Sequence, residues 1–139
     1  MLTINGLSKT YDNGVKALDD VNLEIPKGMF GLLGPNGAGK SSLMRTIATL
    51  QQADKGSINF DGIDVFADPQ ALRQRLGYLP QDFGVYPRIS AYELLDHMAI
   101  LKGIKNKGER KEAVEGLLAH TNLYQHRKNA VSGFSGGMR

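Results

Sequence analysis

The chain has 139 residues, 41% of them hydrophobic, with 17 Lys and Arg against 14 Asp and Glu, a formal charge of +3 and no cysteine. That is one domain's worth of chain, or part of a larger one, and enough to bury a core. The totals exclude disulfides and thiolate metal sites, a bilayer span of roughly 18 apolar residues and a secretory leader in "MLTINGLSKTY"; the small, scattered charge argues against nucleic acid as a partner.

The opening reads as β. "LTINGLSKTY" and "LDDVNLEI" are β-prone segments separated by the turn former "DNG" at 12–14, with Val21, Leu23 and Ile25 in strict alternation. Pro26-Lys27-Gly28 breaks the run, and residues 29–33 then read as a compact apolar strand of the kind buried on both faces. After a glycine-rich turn, Leu43, Ile47 and Leu50 recur at helical spacing, with Met44 and Ala48 widening the stripe.

"GSINFDGIDV" predicts a hairpin turning at Asp61-Gly62. "DPQALRQRLG" predicts a short helix capped by Asp68, begun by Pro69 and ended by Gly77. "YLPQDFGVYP" reads as a strand leaving into a loop. Ser90 and Glu93 form a capping-box pair ahead of "LLDHMAILKG", which Gly103 closes. A further helix over about 109–120 carries Ala113, Val114, Leu117 and Leu118 on one face, and the basic clusters at 105–111 and 126–128 fall on a solvated helix face and loop. The chain thus divides into a β-rich part with a glycine loop, residues 1–84, and a helical part, residues 85–139.

The glycine turn carries the chemistry. Gly34-Pro35-Asn36-Gly37-Ala38-Gly39-Lys40-Ser41 matches G-x-x-x-x-G-K-[ST], between a strand of buried type and an amphipathic helix, the context that motif requires. Its glycines permit backbone angles closed to other residues and let the main chain approach a ligand closely. Loop N–H groups and the start of the next helix then offer donors and a positive dipole end to phosphate oxygens. Lys40 is a mobile charge for the β and γ phosphates. Ser41 is placed to ligate Mg²⁺, an ion that keeps waters and needs few protein ligands, and Ser42 is counted among the nucleotide-binding residues. The reading is a nucleoside triphosphate site.

Three further landmarks, in order, resemble the nucleotide-binding domain of ATP-binding cassette (ABC) transporters. Tyr11 in "LSKTYDNG" looks like the aromatic of that family's A-loop, which stacks on adenine. Gln81 in "LPQDFG" looks like the Q-loop glutamine. Ser135-Gly136-Gly137 in "FSGGMR" resembles the signature most often written LSGGQ, with Phe134 for leucine and Met138 for glutamine. The resemblance covers essentially the whole chain. It implies a P-loop NTPase α/β core with an N-terminal antiparallel β subdomain and a helical subdomain that leads to the signature.

By the same resemblance, ATP and Mg²⁺ are the cofactors, and Gln81 contacts Mg²⁺ or the attacking water. Two such domains, as a homodimer or heterodimer, pair head to tail, so that the signature Ser135-Gly136-Gly137 binds the partner's nucleotide, with Ser135 and Gly137 serving its γ-phosphate. The helical part docks on a transmembrane permease, which places the subunit in the cytoplasm on the inner membrane face, and the loop phrases look most like exporter-type cassettes. A non-catalytic nucleotide-binding module, or a soluble cassette of DNA repair or translation, remains the alternative.

The family's catalytic carboxylates end an apolar strand after the signature. "INFDG", "ELLDH" and "ALDD" are the earlier candidates, and none fits. The expectation is the N-terminal part of a cassette, lacking the rest of the core, with negligible ATP hydrolysis and marginal stability by itself.

Overall fold

The structure is a computed structural model that describes residues 1–80, 84 and 88–139. It divides into two compact units, Met1–Tyr78 and Leu79–Arg139; the sequence reading set the change at residue 84. No helix among the described residues is long and apolar enough to cross a membrane.

Unit 1 is built on a four-stranded antiparallel sheet in the order β2-β1-β3-β4, with β1 at Leu2–Thr10, β2 at Lys16–Ile25, β3 at Lys55–Phe60 and β4 at Ile63–Asp64. Strict alternation would put Ile4 and Leu7 on opposite faces. Both are buried, because the β1–β2 register shifts between them and Gly6 takes φ +58°, with its N–H donating to Asn22 Oδ1 at 2.8 Å. The irregularity acts as a β-bulge that turns Leu7 back into the core. The hairpin forms where expected, with Asp61 and Gly62 both in the left-handed region, as a two-residue hairpin loop of this kind requires.

Helix α1 (Lys40–Ile47) lays Leu43 against Ile4, Leu7, Leu18, Ile58, Val65 and Leu72 to make the unit's core. It ends sooner than the sequence stripe implied. Thr49 adopts φ +61°, so the chain turns and Leu50 is exposed; Met44 is exposed too. Helix α2 (Pro69–Arg75) begins as expected, with Asp68 accepting from the Ala71 N–H at 3.1 Å, and stops two residues before Gly77.

One expectation fails outright. Residues 29–33 form no strand, and Met29 and Leu33 are 105% and 93% exposed. A strand buried on both faces needs parallel neighbours, and every strand pairing in unit 1 among the described residues is antiparallel, with none reaching this segment. Tyr78 to Pro80 likewise form no strand.

Unit 2 packs α3 (Ala91–Leu101) on α4 (Lys107–His120) around Ala91, Val114, Leu118, Val131 and Phe134. The capping box is present in full: Ser90 Oγ accepts from the Glu93 N–H at 3.2 Å and Glu93 Oε2 accepts from the Ser90 N–H at 2.9 Å. Helix α4 starts earlier than expected because Asn106 caps it, accepting from the Glu109 N–H. Of its expected face only Val114 and Leu118 are buried; Ala113 and Leu117 are exposed. The basic stretch at 105–111 is not wholly solvated, since Arg110 joins the two helices by an ion pair with Asp96 at 2.9 Å and a bond to the Lys105 carbonyl at 2.7 Å.

Candidate nucleotide site

The glycine loop runs from the exposed segment before Gly34 directly into α1. Gly37 and Gly39 lie at φ +86° and +93°, conformations that L side chains adopt only with strain. Gly39 also presses on β2: a Cβ there would lie 2.3 Å from the Ala17 carbonyl oxygen. Gly37 has open space around it, so its constraint is backbone conformation alone. The two glycines therefore serve different ends, Gly37 shaping the loop and Gly39 seating it on the sheet.

Within the loop, the Ala38 N–H donates to the Pro35 carbonyl at 3.2 Å. The Asn36, Gly37 and Gly39 amides have no acceptor among the described residues, and the first turn of any helix leaves its N–H groups free. Lys40 folds back over the loop, its Nζ donating to the Gly34 carbonyl and, at 2.8 Å, to the Pro35 carbonyl. The ammonium thus stands inside the turn with the unpaired amides. The Ser41 hydroxyl is exposed and has no hydrogen-bond partner among the described residues. Such a set of backbone donors with one mobile cation can hold a polyphosphate anion.

Ser42 behaves differently from Ser41. It is buried, and its Oγ lies 2.8 Å from the Tyr11 hydroxyl. Tyr11 reaches it from the end of β1, held by backbone bonds to Val15 and Gly14 across the β1–β2 turn. The Ser42 hydrogen bond is the chief reason the Tyr11 phenol is lowered from its ordinary pKa, with burial acting against it. Lys9 Nζ stands 5.9 Å from the Tyr11 ring centre, and Lys9 is itself paired with Asp54 at 3.6 Å. The structure thus brings Tyr11 to the first turn of α1, beside the glycine loop.

Sequence reasoning missed Gln51, which joins these parts. Its Nε2 donates to the Ser42 carbonyl and to Thr46 Oγ1, both at 2.9 Å, and its Oε1 accepts from the Tyr11 hydroxyl at 3.1 Å. The only sequence signal was a polar Thr46 on the inward face of a helix, where it is completely buried.

Gln81 lies outside the described residues. Ser135, Gly136 and Gly137 belong to unit 2, where they make a turn closed by the Met138 N–H on the Ser135 carbonyl at 3.0 Å. The two positions that depart from the family pattern anchor the turn: Phe134 is buried in the core of unit 2 and Met138 packs on it. The segment before the turn is stitched to the start of α3, where the Ala91 and Tyr92 amides donate to the carbonyls of Asn129 and Arg127.

A G-x-x-x-x-G-K-S loop feeding a helix beside an antiparallel sheet points to a phosphate-loop nucleotide-binding protein, although residues 29–33 do not form the strand that the motif calls for. A family model described as ABC transporter matches residues 18–139, and the chain belongs to that family. It is 38% identical to the ABC transporter ATP-binding protein NatA of Bacillus subtilis, aligned over all of this chain and 58% of that protein. It is 37% identical to the doxorubicin resistance ATP-binding protein DrrA of Mycobacterium tuberculosis, over 99% of this chain and 42% of the relative. The chain therefore spans about half the length of these curated relatives. Among solved structures it resembles the dimeric post-hydrolysis state of the ATP-binding cassette MJ0796 bound to ADP and Pi, with a TM-score of 0.86 at 27% identity, over 99% of this chain and 65% of that one. The fold is that of an ABC ATPase cassette in its N-terminal portion.

Proposed function

We propose that the chain is the nucleotide-binding part of an exporter-type ABC transporter's ATP-binding subunit. The observation that carries the reading is the loop from Gly34 to Lys40: two left-handed glycines, amides without acceptors and a lysine folded among them, opening onto α1. ATP is held there by its phosphates, with Gly34, Pro35, Asn36, Gly37, Ala38 and Gly39 supplying the main-chain cradle and Lys40 its charge. In phosphoryl transfer the protein mainly positions phosphates and balances their charge, which suits a site made of backbone donors. Mg²⁺ would supply positive charge to balance that of the phosphates; Ser41 would hold it with its exposed hydroxyl, and Gln81 would be the second ligand, carried over from the family. Tyr11 stacks on the base.

Ser135, Gly136 and Gly137 complete the site of a second nucleotide-binding domain, in line with the dimeric MJ0796 cassette. The helical unit meets a transmembrane permease, which would hold the subunit on the inner face of the membrane. Export is the direction favoured by the doxorubicin resistance relative. A cleft of about 490 Å³ in unit 2, lined by Arg88, Glu93, Lys111, Glu115, Arg127 and Lys128 among others, offers a surface of mixed charge for that docking.

Equilibrium dialysis with labelled ATP and Mg²⁺ tests the reading. Retention by the wild-type chain and its loss in Lys40→Ala are expected; equal retention by both would place the nucleotide elsewhere.

A further inference from the structure

Gln51 stands outside every motif in the chain, yet its side chain bonds Tyr11, Ser42 and Thr46 at once. Its orientation follows from simple accounting. Thr46 Oγ1 donates its proton to the Ser42 carbonyl at 2.8 Å, so it can only accept from Gln51. The Ser42 carbonyl is also an acceptor. Both contacts therefore demand the amide nitrogen of Gln51, and the reversed amide would set oxygen against oxygen. Gln51 Oε1 must then face Tyr11, whose single proton goes to it. With that proton committed, the 2.8 Å contact between Tyr11 and Ser42 is made with the Ser42 proton. One amide thus fixes three hydroxyl directions and ties the Tyr11 ring to the first turn of α1.

We infer that Gln51 is a positioning residue for nucleotide recognition, which fixes the base-stacking Tyr11 ring at a set distance from the phosphate-binding turn. The inference rests on the nucleotide reading above. The ring can meet a base only if it stands at the right place relative to phosphates held at Lys40. A tyrosine at the end of a strand has free rotation about two side-chain bonds unless its hydroxyl is anchored, and fixing it in advance removes that ordering cost from binding. Ser42 alone would anchor the hydroxyl through one rotatable O–H. Gln51, held by two further acceptors on α1, makes the anchor rigid. Base recognition thereby becomes coupled to the helix that carries the phosphate loop.

The test compares a ligand that has a base with one that has none. Affinities for Mg-ATP and for Mg-tripolyphosphate are measured by calorimetry on the full chain, for wild type, Gln51→Leu, Tyr11→Phe and the double variant. In Gln51→Leu the ratio of ATP to tripolyphosphate affinity should fall about fivefold. Tyr11→Phe keeps the ring but lacks the anchored hydroxyl, so it should give a similar fall, and the double variant should be no worse than either single one, as expected for residues acting through one contact.

An unchanged ratio in Gln51→Leu, whether both affinities hold or both drop together, overturns the inference, because a purely structural role in α1 would act on both ligands alike. Additive losses in the double variant overturn it as well. If Gln51→Leu does not fold, Gln51→Glu, which keeps an acceptor for Tyr11 but has no N–H for the Ser42 carbonyl and Thr46, decides by the same ratio. Absence of tripolyphosphate binding in the wild type would instead sink the phosphate-loop reading, and this inference with it.

Discussion

Replacing Gly39 with alanine separates the two constraints on the glycine loop. At φ +93° a side chain carries the left-handed penalty, about 1–2 kcal/mol. The new Cβ would also stand 2.3 Å from the Ala17 carbonyl oxygen, a backbone atom of β2 that cannot swing aside. Forcing extra volume into a packed contact adds about 1–3 kcal/mol. Gly37, at φ +86°, has nothing within 4 Å of the same position, so Gly37→Ala carries only the conformational part. Gly39→Ala should therefore destabilise unit 1 by at least about 1 kcal/mol more than Gly37→Ala. The chain has no tryptophan, and a global optical melt would blend the two units. Native-state hydrogen exchange at the protected amides of β1 reports unit 1 by itself. Equal losses in the two variants would mean that the loop does not rest on β2, and the seating role given to Gly39 would be wrong.

Two predictions concern unit 2. The Ser90 backbone N–H holds the Glu93 carboxyl below its ordinary pKa. A carboxylate with a depressed folded value contributes stability above its unfolded value, about 4.3, and loses that contribution as pH falls through the folded value. The stability difference between wild type and Glu93→Gln should hold steady above that pH and shrink below it, as read by urea titrations from pH 7 to pH 3; a difference that grows on acidification would reverse the sign. Arg110→Ala should cost about 2 kcal/mol, because it removes charged hydrogen bonds to Asp96 and the Lys105 carbonyl from a mostly buried guanidinium. Lys107→Ala, on the exposed start of the same helix, should stay within about 0.5 kcal/mol, both read by native-state hydrogen exchange at the α3 and α4 amides. Similar losses in both would show that the α3–α4 pair does not depend on that bridge.

What the sequence disclosed was local. The Asp61-Gly62 hairpin, the Asp68-Pro69 helix start and the Ser90–Glu93 capping box are each set by a few adjacent residues, and each formed where the residues placed it. The glycine loop was legible for the same reason, since its pattern is contiguous. Features that depend on distant partners were not. Residues 29–33 have the composition of a buried strand, but a strand is defined by its neighbours, and the described residues supply none. Ile4 and Leu7 share a face only because of a bulge at Gly6, which alternation cannot foresee. Arg110 looked like one charge in a basic run until Asp96, fourteen residues earlier, came within 2.9 Å. Gln51 is the extreme case: its meaning depends on a tyrosine forty residues away, reached only once the sheet is folded.

The central claim is that the main-chain amides between Asn36 and Ser42 cradle a triphosphate. Amide NMR spectra of the isotope-labelled chain, recorded during titration with Mg-ATP, test it most directly. Progressive, saturable shifts should appear at residues 36–42 and be absent from the same titration of Lys40→Ala. A folded wild-type sample whose amides at 36–42 stay still at millimolar nucleotide would contradict the claim.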